Sequence, residues 1–138
     1  MIIPVITLWQ PWASWIMMGW KTIETRTHPR FACLEGKTIG IHAGLKWDND
    51  ANIRALYYIS QAQKLKTEYF KSIKGAIIGT VFVRQHRLLN GLDSQQALID
   101  CKKTQRYGLI LDNINPIEPI KISGKQGIWK CNISKNCS

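Results

Sequence analysis

At 138 residues the chain is long enough for one hydrophobic core and too short for two, so a single domain is expected. With 45% hydrophobic and 20% charged residues, it is not the composition of a disordered polyelectrolyte. Nineteen Lys+Arg against nine Asp+Glu give a formal charge of +10, which makes a polyanion, above all nucleic acid, the leading partner class.

Ile2 to Leu8 is a short apolar run that reads as a buried strand, with Pro4 placing its start near a sheet edge. It leads into Trp9-Gln10-Pro11-Trp12-Ala13-Ser14-Trp15, which together with Trp20 holds four of the six tryptophans. Proline suits a first helical turn, so Pro11 is expected to open a helix with Gln10 near its cap. Ala13, Ile16 and Met17 form its apolar stripe, and Gly19 is suited to the left-handed residue that ends it. About two turns of helix do not persist alone in water, so this one must dock. The β-branched stretch after it is expected to be a strand bearing Lys21, Glu24 and Arg26. Glu24 and Arg26 share a face of such a strand, while Lys21 sits at the turn. Most charge sets of this kind are solvated salt bridges. The surrounding indoles mark this one as a candidate site.

Thr27-His28-Pro29-Arg30 is an extended or turned link, made basic by His28, Arg30 and Lys37. Lys37 to Gly44 alternates as a strand with Ile39 and Ile41 inward and His42 on the other face. Asp48-Asn49-Asp50 supplies helix caps, and Ile53, Leu56, Tyr57, Ser60 and Lys64 recur at helical spacing. A long helix from about Asn49 to about Phe70 is expected, with room for a break midway and with Arg54, Gln61, Lys66 and Lys71 on its solvated face.

Gly75 to Arg84 is a central apolar strand in which Gly79 signals a bend or a close backbone approach. Asn90 to Lys103 reads as a loop with a short helix, capped by Asp93 or Ser94, with Ala97, Leu98 and Cys101 inside. Tyr107 to Asp112 is a strand, residues 113–116 a turn, and residues 116–122 an edge strand because of Pro116 and Pro119. Gly124-Lys125-Gln126-Gly127 is a backbone-exposed loop before a last strand, Ile128 to Ile133. Residues 135–138 form a polar tail behind a domain of residues 1–134.

Cys33, Cys101, Cys131 and Cys137 form no C-x-x-C pair and have no histidine at zinc spacing, so free thiols and no metal are expected. No leader peptide and no membrane-spanning run are recognisable, so a cytoplasmic protein with no membrane contact is expected. A monomer without cofactor is the favoured state.

The spacing Gly19-x-Lys21-x-x-Glu24-x-Arg26, behind a Gln-Pro-Trp-Ala-Ser helix start, resembles the signature of the ASCH domain, the activating signal cointegrator homology family. Gly124-Lys125-Gln126-Gly127-Ile128-Trp129 resembles the closing motif of that family's cointegrator-like branch. The two matches lie toward opposite ends of the chain, and the resemblance implies one PUA-like domain. The elements themselves agree, as an α+β fold: a small mixed barrel with one long and two short helices.

Three functions follow. The first is RNA binding, single-stranded or by a looped-out nucleotide: Lys21, Arg26 and Lys125 neutralise phosphates and an exposed ring of Trp9, Trp12 or Trp15 stacks on a base. Gln10, Ser14, Glu24, His42 and Gln126 complete that candidate interface. At least three of the six tryptophans are expected in the core. The second is a hydrolase of RNA or of a modified nucleoside centred on Lys21 and Glu24, with His42 as a further proton carrier for a ribonuclease. Here the resemblance adds that small ASCH-like amidohydrolases use a lysine, a threonine and a glutamate. Lys21 matches their lysine, Glu24 stands in place of their threonine, and no glutamate matches theirs. The third is a protein-interaction module in transcriptional co-regulation, as the cointegrator name implies.

Overall fold

The computed structural model describes residues 1–133. The expected tail at 135–138, the end of the domain at 134 and Cys137 lie outside the described residues. Six strands form one sheet: β1 (Ile2–Gln10), β2 (Ile23–Arg26), β3 (Thr38–Trp47), β4 (Ala76–Leu88), β5 (Tyr107–Lys121) and β6 (Ile128–Asn132). Their order is β2-β5-β4-β3-β1-β6, with β1 and β3 parallel and every other neighbouring pair antiparallel. The α+β class is as expected, but the sheet is open. Its edge strands β2 and β6 are four and five residues long, and no ladder joins them. Register shifts between Ile41 and His42 and at three places along β4 bend its middle, while closure into a barrel would need a further pairing of β2 with β6.

The tryptophan segment folds as α1 (Trp12–Met17), with Pro11 as its cap at φ −87° and not inside its first turn, and Gln10 closing β1. Gly19, at φ +77°, ends the turn as expected, and Trp20 and Lys21 both donate backbone bonds to the Trp15 carbonyl. Ala13 and Ile16 enter the main core with Ile6, Leu8, Ile39, Ile41 and Val81. Gly79 is the close approach that its place in β4 suggested: a Cβ there would collide with Met17 Sδ and lie 2.8 Å from the Asn115 carbonyl. Trp15 is sealed in a second cluster with Phe70 and Leu98, and its Nε1 donates to Thr67 Oγ1 at 2.9 Å.

Only Trp15 and Trp129 are buried; Trp12, Trp20 and Trp47 are half-buried and Trp9 is exposed, so fewer indoles are in the core than expected. Trp12, Trp20 and Trp47 pack against the outside of the cluster around Trp15 and Phe70, which covers only part of each ring.

The long helix is replaced by α2 (Ala51–Arg54), α3 (Gln61–Thr67) and a 3₁₀ turn at Glu68–Ser72. α2 ends at Arg54, and Ser60 starts the next helix. Its hydroxyl accepts from Gln63 N at 3.1 Å and its own N–H donates to Gln63 Oε1 at 2.8 Å, a capping box that starts a new helix. Small residues, Ala51 and Ala55, face the core, leaving Ile53, Leu56 and Tyr57 exposed where an inward stripe was expected.

Asp93 precedes the fourth helix, α4 (Ser94–Ala97), but its carboxylate accepts from Arg87 and Asn90 N and caps no N–H of that helix; Ala97, Leu98 and Cys101 are buried as expected. β5 runs straight through the expected turn, with Asn113 at φ +50°, and Pro116 and Pro119 fall beyond Ile110, where its pairing with β2 stops. Likewise Pro4 lies in an interior strand, one residue before the β1–β3 ladder begins at Val5. Cys33, Cys101 and Cys131 are free, and no helix among the described residues is long and apolar enough to cross a membrane.

Candidate functional site

Beside the parallel pair β1 and β3 opens a cleft of about 860 Å³. Thr7 and Trp9 of β1, His42 and Leu45 of β3, Arg26 at the end of β2, the 28–31 link and the 122–127 loop wall it. Its lining includes the cations Arg26, Arg30 and Lys125 and no carboxylate. Aromatic faces accompany the charges: the Arg26 guanidinium lies 5.0 Å from the Phe31 ring centre, and His28 meets Phe31 edge to face at 5.5 Å. Trp9, 50% exposed, stands at the rim. Burial, then Arg30 and Arg26, holds His28 below the ordinary 6.5 of a histidine.

His42 is anchored at the cleft wall. Its Nε2 lies 2.7 Å from the Ile122 carbonyl, which can only accept, so Nε2 carries the proton and Nδ1 is left as a buried acceptor without a protein partner. Burial lowers its pKa against the pull of that hydrogen bond, so the ring is neutral at pH 7. Trp129 packs edge-on against it at 5.5 Å and donates Nε1 to Thr7 Oγ1 at 3.1 Å. A Cβ at Gly124 would lie 2.7 Å from both His42 Cε1 and Thr7 Oγ1, so only glycine lets the loop backbone rest on this pair.

Lys21 and Glu24 lie elsewhere. Lys21, 1% exposed, donates Nζ to the Ala97 carbonyl at 2.6 Å, sits 3.6 Å from Glu24 Oε1 and lies 4.9 Å from the Trp12 ring centre. Burial brings its pKa from the ordinary 10.5 down to about 8, with Glu24 opposing the shift. Glu24 Oε2 accepts from Arg26 at 2.8 Å, and Trp12 Nε1 donates to Asp48 Oδ2 at 2.8 Å. Two small cavities adjoin this nook, of about 350 and 150 Å³, both walled in part by Glu24 and Asp48. Arg26 borders them and the cleft alike. The three ionic side chains therefore meet in one chain of contacts, yet only Arg26 reaches the cleft.

No protein-family model and no curated protein matches the sequence. Solved structures do. The crystal structure of an ASCH protein from Zymomonas mobilis superposes with a TM-score of 0.60 at 15% identity, over 96% of this chain and 89% of that one. A serine-to-alanine variant of that protein gives 0.59 at 16% identity over 96% and 95%, and a tyrosine-to-phenylalanine variant 0.53 at 18% over 86% and 74%. This chain has the ASCH fold.

Within that fold the sequence-predicted site residues separate into three groups. Trp9, Arg26, His42, Lys125 and Gln126 line the cleft; Trp12, Lys21 and Glu24 form the nook. Gln10 and Ser14 are buried structural residues. Gln10 Nε2 donates to Ser14 Oγ at 2.6 Å and to the Ile73 carbonyl at 2.9 Å, and its Oε1 accepts from Ser14 N, which locks α1 onto β1. Lys21 and His42 border different cavities, so the proton-transfer set of the ribonuclease reading is not assembled. Arg30, His28 and Phe31 of the cleft were not among the expected site residues. Their signal was the basic Arg26-Thr27-His28-Pro29-Arg30 run, legible as charge but not as a wall.

Proposed function

We propose that this protein binds single-stranded RNA by seating an unpaired nucleotide in the cleft. One observation carries the reading: a cavity of nucleotide size lined by Arg26, Arg30 and Lys125, free of carboxylates, with the half-exposed Trp9 indole at its mouth. The cations offset phosphate charge, and a base on an indole gains about 1–3 kcal/mol. An unstacked base in a pocket is how most sequence-reading RNA modules work, and the ASCH fold of the chain is compatible with it. Such a ligand is met in the cytoplasm, and a cleft walled by residues of one chain suits a monomer. Fluorescence anisotropy of a labelled single-stranded RNA, with matched DNA and duplex arms, tests this. Arg30→Glu with Lys125→Glu, both exposed positions, is expected to weaken RNA binding at least tenfold and flatten its salt dependence. Equal affinity of wild type and double variant would overturn it.

The hydrolase reading has one observation in its favour, the Lys21 amine brought down to about 8, near the range where it can take up a proton. Against it, that amine is engaged by Ala97 and Glu24, and the cavity it borders, about 150 Å³, is far smaller than the cleft. Incubation with single-stranded RNA and with acetylated cytidine, beside Lys21→Ala, distinguishes the two. Turnover lost in the variant would favour the hydrolase.

A further inference from the structure

Gly44 and Leu45 wall not only the cleft but also a second groove, of about 260 Å³, on its other side. The groove presents Lys46, Lys71 and Lys74 and, like the cleft, has no carboxylate in its lining. The two adjoin at Gly44 and Leu45 and at one further step of the chain. Lys74 of the groove precedes Gly75 of the cleft, and Gly75 N donates to the Ala43 carbonyl at 2.7 Å, tying this segment to the end of β3. The Lys46 ammonium lies 5.1 Å from the ring centre of Trp9, the indole at the mouth of the cleft. At the far end Lys71 lies 5.5 Å from the Trp47 ring. Lys71 also pairs with Glu68 at 2.7 Å, but both side chains are more than half exposed, and such pairs exchange readily for a phosphate.

From this continuity we infer that the lysine groove is a second binding surface, carrying the RNA strand onward from the nucleotide held in the cleft; the inference rests on the reading of the cleft given above. A nucleotide within a strand has a phosphate on each side. Cleft cations meet one, and the neighbouring phosphates, passing over Leu45, meet Lys46, Lys71 and Lys74. Leu45 is 77% exposed on this divide and offers apolar surface to a sugar or base edge. Gly44 and Gly75 beside it pack closely: a Cβ on Gly44 would press on Thr7 Cγ2 at 3.1 Å, and one on Gly75 would meet Leu45 Cδ2 at 3.3 Å. The strand is thus bound by charge along a path whose lining has no carboxylate, Glu68 reaching it only as the exposed partner of Lys71.

The experiment compares a mononucleotide and a single-stranded octanucleotide on wild type and on Lys46→Ala/Lys71→Ala/Lys74→Ala, with Lys37→Ala/Lys102→Ala/Lys103→Ala, exposed residues away from both cavities, as the charge-matched control. The groove variant is expected to hold the mononucleotide as wild type does while binding the octanucleotide more weakly. Each phosphate contact contributes about 0.7 to the salt slope, so between about 50 and about 200 mM salt the wild type should lose about twentyfold more affinity than the groove variant. Octanucleotide affinity and slope equal to wild type would overturn the groove, as would an equal loss in the control or an equal loss for the mononucleotide. Failure of the cleft itself reads differently: wild type would then bind neither ligand, or bind both unaffected by Arg30→Glu with Lys125→Glu.

Discussion

Glu24 and Arg26 are two residues apart, yet they belong to regions that use charge in opposite ways. In the nook, Lys21 and Glu24 are withdrawn from water, satisfied by the Ala97 carbonyl, Arg26 and the Trp12 face, and committed to holding α1, β2 and α4 together. In the cleft, Arg26, Arg30 and Lys125 line a wall with no carboxylate, and the one that Arg26 touches, Glu24, lies outside that wall. The same residue types are thus enclosed as partners within the fold in one place and left open to water in the other, where the proposed ligand would meet them.

The comparison is tested most severely by Glu24→Ala. It strips a buried ammonium of its carboxylate and is expected to cost about 3–5 kcal/mol in chemical denaturation. A loss below about 1 kcal/mol would remove the nook from the stabilising side of the contrast.

Next in size is the alkaline limb of stability. Folded Lys21 releases its proton near pH 8 and the unfolded chain near 10.5, so the unfolded state binds more protons in that window and stability must rise with pH across it. The rise amounts to about 3 kcal/mol for this group. It should vanish in Lys21→Met, which should leave RNA affinity unchanged. A fall in affinity there would merge the two regions.

Trp9→Ala sharpens the other side: RNA affinity should drop by about 1–3 kcal/mol while folding stability barely moves, because half the ring is already in water. Arg30→Ala should reduce the salt slope by about 0.7 with little effect on stability, as read from anisotropy titrations at several salt concentrations. The smallest effect expected is acid loss. His42 and His28 resist protonation in the fold, so below about pH 6.5 the unfolded chain takes up protons that the native state refuses, and stability falls. Denaturation midpoints compared at neutral and mildly acidic pH check the sign, and His42→Gln should shrink the fall.

Much of the fold was legible because local chemistry and final packing agree. Gly19 takes its positive φ at the end of α1, Ile39 and Ile41 go inward, and Gly79 marks the approach of Met17. The reading failed where a local competitor or a distant partner decided. Ser60 and Gln63 begin a new helix inside a stretch whose apolar spacing suggested one, and Ile53, Leu56 and Tyr57 are left in water. For the site, the Lys21, Glu24 and Arg26 cluster was visible in its spacing, but its division was not. Lys21 is drawn inward by the Ala97 carbonyl, 76 residues away.

By itself the sequence determined that this is a basic α+β domain with a tryptophan-bearing helix closed by Gly19 and a glycine-flanked loop at Lys125, because charge, periodicity and backbone freedom are properties of neighbouring residues. Only the tertiary structure decided which cations meet water. Burial of Lys21 depends on Ala97 and Trp12, and the cleft depends on the 28–31 link and the 122–127 loop arriving at the same side of β1 and β3 from opposite ends of the chain. Desolvation is a property of that assembled surface, so no stretch of residues read alone could have assigned it.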